Sequence, residues 1–145
     1  MQSLTLSDYQ SLAELRYQIR KFLHFSEQAA RNAGIEPRQH QLLLAIKALS
    51  GGVRPRIAVL AERLQLRHHS TVELVNRLAK GGYVRRRRDS EDGREVLLSL
   101  TAKGENVLRQ LSLDHRQELR KAGPALMTAL RTVLGPAPRR TATKT

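Results

Sequence analysis

Ser70-Thr71-Val72-Glu73-Leu74-Val75-Asn76-Arg77-Leu78-Ala79-Lys80 puts Thr71, Leu74, Val75 and Leu78 at the i, i+3, i+4, i+7 spacing of a single helix face. This spacing predicts a helix with one buried stripe, and it leaves Val72, Glu73, Asn76, Arg77 and Lys80 pointing outward. The outward face therefore carries donors, an acceptor and two cations. Ser70-x-x-Glu73 also fits a capping box, in which Glu73 folds back onto the backbone of Ser70 and is used up at the helix start. Gly81-Gly82 supplies the φ > 0 freedom that a helix C-terminus favours, so the helix is expected to end near Lys80.

Reading outward, Ala58 to Leu66 repeats the pattern on a smaller scale. Leu60, Ala61 and Leu64 make a short amphipathic helix that almost touches the first in sequence. Downstream, Tyr83-Val84-Arg85-Arg86-Arg87-Arg88 and Arg94-Glu95-Val96-Leu97-Leu98-Ser99-Leu100 flank the turn formers Ser90-Glu91-Asp92-Gly93. Two strands of a hairpin follow from this, with Val96, Leu98 and Leu100 on the inner face and the tip at Asp92, Gly93 and Arg94 in solvent. Val53 to Ile57 is expected as an extended lead-in that could add a small third strand.

The ordered set Leu60-Ala61-Glu62-Arg63-Leu64, Ser70-Thr71-Val72, Leu74-Val75-Asn76-Arg77-Leu78, Gly82-Tyr83-Val84, Asp92-Gly93-Arg94 and Leu98-Ser99-Leu100-Thr101-Ala102-Lys103-Gly104 resembles the multiple-antibiotic-resistance-regulator (MarR) family of bacterial transcription factors. The resemblance implies a mainly α, winged helix-turn-helix fold in one domain over residues 1–145. In it, residues 53–101 are the DNA-binding part, and the helices of residues 7–50 and 102–135 form a dimerisation region. It further implies a homodimer bound to an inverted-repeat operator, acting as a repressor, with Ser70 to Lys80 as the recognition helix and Asp92 and Arg94 of the wing at the minor groove. Two positions depart from the family pattern: Arg67 stands where a small capping hydroxyl is usual, and Glu73 where a basic or hydroxyl residue is common. In the family register the helix begins nearer Arg67, and Glu73 faces the groove instead of capping. Either way His68, His69, Ser70, Asn76, Arg77 and Lys80 stay on the DNA side. By the same analogy, a small phenolic or lipophilic effector would release the DNA. Phe22, Phe25, His40 and Leu44 are the expected lining of its pocket, as an apolar surface with few polar groups.

Composition agrees with a polyanionic partner. The net charge is +13, and residues 54–103 hold 12 cations and 6 anions, the largest excess of any third. A charge run is ordinarily a solvated face, but the inner face of a wing is small, so most of Arg85, Arg86, Arg87 and Arg88 must lie outward and at least two are expected on phosphates. A basic architectural or RNA-associated protein without sequence preference would share the charge; it would not need an ordered polar helix face. There is no cysteine, which excludes disulfides and thiol sensors. No apolar run approaches the ~20 residues of a membrane span. A cytoplasmic protein without cofactor or metal is expected.

The rest of the chain reads as support. Ser7-Asp8 is a plausible cap for a long helix to Gly34, and Pro37 opens a second that Ser50-Gly51-Gly52 closes. The hydroxyl of Thr101 can cap a helix running to about Leu119, Gly123-Pro124 is expected to break it, and Ala125 to Leu134 forms a last helix before a basic, disordered tail at residues 136–145. Adjacent His68 and His69 point about 100° apart on a helix and suit a metal poorly. His24, His40 and His115, on three different helices, read as structural. No phosphate loop, thiol nucleophile or paired carboxylates support an enzyme.

Overall fold

Leu6–Asn32 forms α1, Pro37–Leu49 α2, Ile57–Leu64 α3, His68–Lys80 α4, Val84–Arg88 β1, Val96–Leu100 β2 and Ala102–Leu134 α5. The computed structural model describes residues 2–52, 54–88 and 96–136. Two compact units emerge, one of Ser26–Asp114 and one of Met1–Phe25 with His115–Thr145.

In the Ser26–Asp114 unit the expected stripe is the core. Thr71, Leu74, Val75 and Leu78 of α4 are buried with Leu42, Leu43, Ile46 and Leu49 of α2, Leu60 of α3, and Val84 and Leu98 of the hairpin. Between α3 and α4 the chain turns at Gln65, which adopts the left-handed conformation (φ 52°, ψ 44°), while the Leu66 amide donates to the Ala61 carbonyl at 2.9 Å. α4 starts at His68, with Arg67 extended at its N-cap and offering no side-chain cap. The Thr71 amide and hydroxyl both donate to the Arg67 carbonyl, at 3.1 and 3.0 Å. The helix therefore begins two residues before Ser70, and the Ser70–Glu73 capping box is not formed. Thr71 decides this: burying its hydroxyl requires an acceptor, and a turn begun at Arg67 provides one.

The strands pair antiparallel, Val84 with Leu100, Arg86 with Leu98 and Arg88 with Val96. Among the described residues the sheet has two strands, and the lead-in contributes one bond, from the Leu98 amide to the Pro55 carbonyl at 3.3 Å. Thr101 joins the wing to α5 as expected. Its Oγ1 accepts from the Gly104 amide at 3.1 Å and donates to the Gly82 carbonyl at 2.6 Å. Lys103 donates to the Gly81 carbonyl at 2.8 Å, and its ammonium lies 4.4 Å from the centre of the Tyr83 ring. Gly82 has φ +80°, and a Cβ on Gly104 would come within 2.1 Å of the Tyr83 carbonyl oxygen.

In the other unit α1 begins at Leu6, with Thr5 rather than Ser7 at its start. The Asp8 carboxylate accepts from the Thr5 amide at 2.8 Å, and the Asp8 amide donates to the Thr5 hydroxyl at 3.2 Å. The Thr5 amide, and then its hydroxyl, hold the Asp8 carboxyl below its ordinary range. α5 runs unbroken through Gly123-Pro124, contrary to the break expected from the sequence. A proline lacks one amide donor and crowds the side chain of the residue before it; glycine there has no Cβ to crowd, and Pro124 itself is exposed. Ser7, Ser11 and Glu14 of α1 face Pro124, Thr128 and Thr132 of α5 across a cleft of about 560 Å³. His115 meets the rings of Phe22 and Phe25 edge-on, with centroids 6.0 and 5.4 Å apart. The large hydrophobic residues exposed in the described chain, apart from Leu44 and Leu113, all belong to this unit, among them Leu12, Ile19 and Leu23 of α1 and Met127 and Leu130 of α5.

Candidate nucleic-acid interface

Burial of the α4 stripe turns the opposite side of the helix to solvent. His68, His69, Glu73, Asn76, Arg77 and Lys80 are exposed and Ser70 is half-buried. Arg67 at the N-cap puts Ser70 in the first turn and Glu73 a full turn in. There the Glu73 carboxylate has no capping duty and is available to accept from a base edge.

β1 adds four cations beside this face, since Arg85, Arg86, Arg87 and Arg88 are all exposed. They are not equivalent. Strand alternation puts Arg86 and Arg88 on the side of buried Val84, facing the cross-strand partners Leu98 and Val96, and puts Arg85 and Arg87 on the opposite side. Arg86 reaches across to α4 and donates to the Asn76 side-chain carbonyl. Asp92 and Arg94, the expected wing-tip pair, lie outside the described residues, as does the chain beyond residue 136.

Two participants have no signal in the sequence. Glu36, which closes the capping box of α2 with Gln39, also takes a hydrogen bond from Arg77 at 3.3 Å. Glu36 and Arg38 join Leu66, Ser70, Glu73, Leu74 and Arg77 around a small polar cleft of about 170 Å³ at the start of α4. Glu36 and Arg77 stand 41 positions apart, so no local spacing could reveal the pair. Both side chains are about 60% exposed (62% and 60%), and an ion pair this wet contributes at most about 1 kcal/mol. Arg77 can leave Glu36 for a phosphate at small cost.

The four residues expected to line an effector pocket divide between the units. Phe22 and Phe25 surround His115 in one; in the other, His40 is buried within α2 with Gln41 Nε2 3.5 Å from its Nδ1, and Leu44 is 43% exposed. Among the described residues no three His, Cys, Asp or Glu side chains cluster to hold a metal ion. No helix of the described chain is long and apolar enough to cross a membrane.

Residues 33–95 match the family model described as MarR family. None of the curated proteins compared matches the sequence. Among solved structures, AbsC, a MarR family transcriptional regulator from Streptomyces coelicolor, is similar with a TM-score of 0.74 at 21% identity, covering 92% of this chain and 93% of that one. A MarR family protein from Bacillus stearothermophilus gives 0.70 at 22% identity, over 82% and 81% of the two chains. A mutant MarR from E. coli complexed with operator DNA gives 0.63 at 22% identity, over 83% and 90%.

Proposed function

We propose that this chain, whose residues 33–95 match the MarR family model, is a sequence-specific transcriptional regulator of that family that binds an inverted-repeat operator as a homodimer and represses from it. One observation carries the proposal: the exposed polar face of α4 lies beside the exposed arginines of β1, and a wing side chain is bonded to that face. A helix with ordered donors and acceptors on its outer side suits the edges of base pairs in a major groove, and a cationic strand next to it suits phosphates. Glu73, Asn76 and Arg77, with His69 and Ser70 at the helix start, would face bases or backbone. Lys80 and the wing arginines would supply charge, His68 would meet the backbone beside them, and Asp92 and Arg94 would enter the minor groove. That the similar E. coli MarR mutant is complexed with operator DNA supports a DNA-binding reading.

The dimer in this proposal rests on the exposed apolar residues of α1 and α5, which a second copy would cover. Two copies of α4 would then stand one DNA turn apart, about 34 to 36 Å. Release by a small phenolic or lipophilic effector completes the proposal; Phe25→Trp should alter the ligand response while the fold is retained, and an unchanged response and DNA affinity would remove Phe25 from it. A charge of +13 also suits a non-specific architectural protein. Footprinting on DNA flanking the protein's own gene separates the two readings. A bounded, two-fold-symmetric footprint is expected; uniform coverage would favour the architectural protein.

A further inference from the structure

We propose that Arg86 is a positioning residue for base recognition: by holding the side-chain carbonyl of Asn76 against the wing, it leaves Asn76 only hydrogen-bond donors to present to DNA. The inference rests on the DNA-reading function proposed above. Asn76 is exposed on α4 and Arg86 is exposed on β1, ten residues later in the chain, and a guanidinium nitrogen of Arg86 donates to Asn76 Oδ1. Guanidinium has donors and no acceptor, so the bond itself fixes which way the amide is turned. Arg86 is also the wing arginine built for this task. It shares the helix-facing side of β1 with Val84 and sits opposite buried Leu98, whereas its neighbours Arg85 and Arg87 face away.

The consequence lies in the chemistry of the groove. An asparagine reads adenine with both ends of its amide at once, the oxygen accepting from N6 and the nitrogen donating to N7. With Oδ1 turned to the wing, that paired contact is lost and the NH₂ group remains. Two donors suit a base edge that shows acceptors, such as O6 and N7 of guanine or O4 of thymine. The wing thereby enters sequence choice without touching a base, and the charge of Arg86 serves α4 more than the phosphates.

The test compares the full-length protein with Arg86→Met, Arg86→Lys and Arg85→Met, on the duplex it selects from random sequence and on symmetric single-position variants of that duplex. Arg86→Met is expected to relax the preference at one symmetric pair of positions by about 5- to 100-fold and turn it toward adenine. Arg86→Lys, which can still donate to Oδ1, should keep the original preference. Arg85→Met should weaken every duplex alike. If Arg86→Met also weakens every duplex alike, Arg86 is a phosphate contact only and the proposal is overturned. NMR of the free protein gives an independent reading, because the Asn76 side-chain amide signals should move in Arg86→Met and stay in Arg85→Met. Signals unmoved in Arg86→Met overturn the positioning role whatever the DNA shows. A wild-type protein that selects no sequence overturns the regulator reading, and the specificity role with it, even where those signals move.

Discussion

At Gly104 the first turn of α5 passes so close to the wing root that a methyl group would lie 2.1 Å from the Tyr83 carbonyl oxygen. The obstacle is backbone and cannot swing aside. Gly104→Ala should therefore cost about 1–3 kcal/mol, measured as a lower urea midpoint with an unchanged slope; a midpoint equal to wild type would show that the wing root yields freely. Glu73 raises the opposite kind of question, since its role is chemical. The capping box suggested by Ser70-x-x-Glu73 is a local pattern, and it loses to the buried Thr71 hydroxyl, whose acceptor lies at Arg67. Glu73→Gln should leave stability within about 0.5 kcal/mol of wild type. It should also shift base preference at one symmetric pair of positions by about 1–3 kcal/mol, as loss of a carboxylate that accepts from cytosine would. Unshifted preference in a binding assay would take Glu73 out of the groove.

Among the elements, α4 was the most legible, because a four-position apolar stripe at helical spacing specifies both the helix and its buried side. Its start was less so, since capping signals compete at short range and a tertiary demand on one hydroxyl chose between them. The wing arginines were legible as a group but not singly. Four identical residues carry no signal to say that Arg86 bends back to Asn76, which depends on the register with β2 and on where α4 ends. Arg85 and Arg87, on the far side of the strand, are the pair to test as phosphate contacts. Alanine at both should lower the slope of log affinity against log salt by about 3 to 4 in a dimer while leaving the preferred sequence unchanged. A slope equal to wild type, read by fluorescence anisotropy from 50 to 200 mM salt, would place the phosphate contacts elsewhere. In α5, Gly123-Pro124 reads as a stop in any local rule, yet the helix continues to Leu134; Gly123 relieves the clash with a preceding Cβ but not that of the proline ring with the Arg120 carbonyl. The missing amide donor remains. Pro124→Ala should restore it and raise stability by about 1–3 kcal/mol; an unchanged or lowered melting temperature would contradict that account.

For the whole molecule, the distribution of exposed apolar side chains matters more than net charge. Leu12, Ile19 and Leu23 on α1, with Met127 and Leu130 on α5, are among the large apolar side chains that one copy leaves in water, and a second copy is the proposed cover. Sedimentation at micromolar concentration should give twice the 16.4 kDa of the chain, and Leu23→Glu should shift the balance toward monomer. A monomeric wild type would remove the two-fold axis on which the operator geometry depends. The DNA claim is tested most directly by selecting bound duplexes from random sequence with the full-length protein. The proposed function predicts an enriched inverted repeat whose half-sites lie about 10 base pairs apart, centre to centre. Recovery of duplexes with no shared sequence, at an affinity set by salt alone, would contradict it.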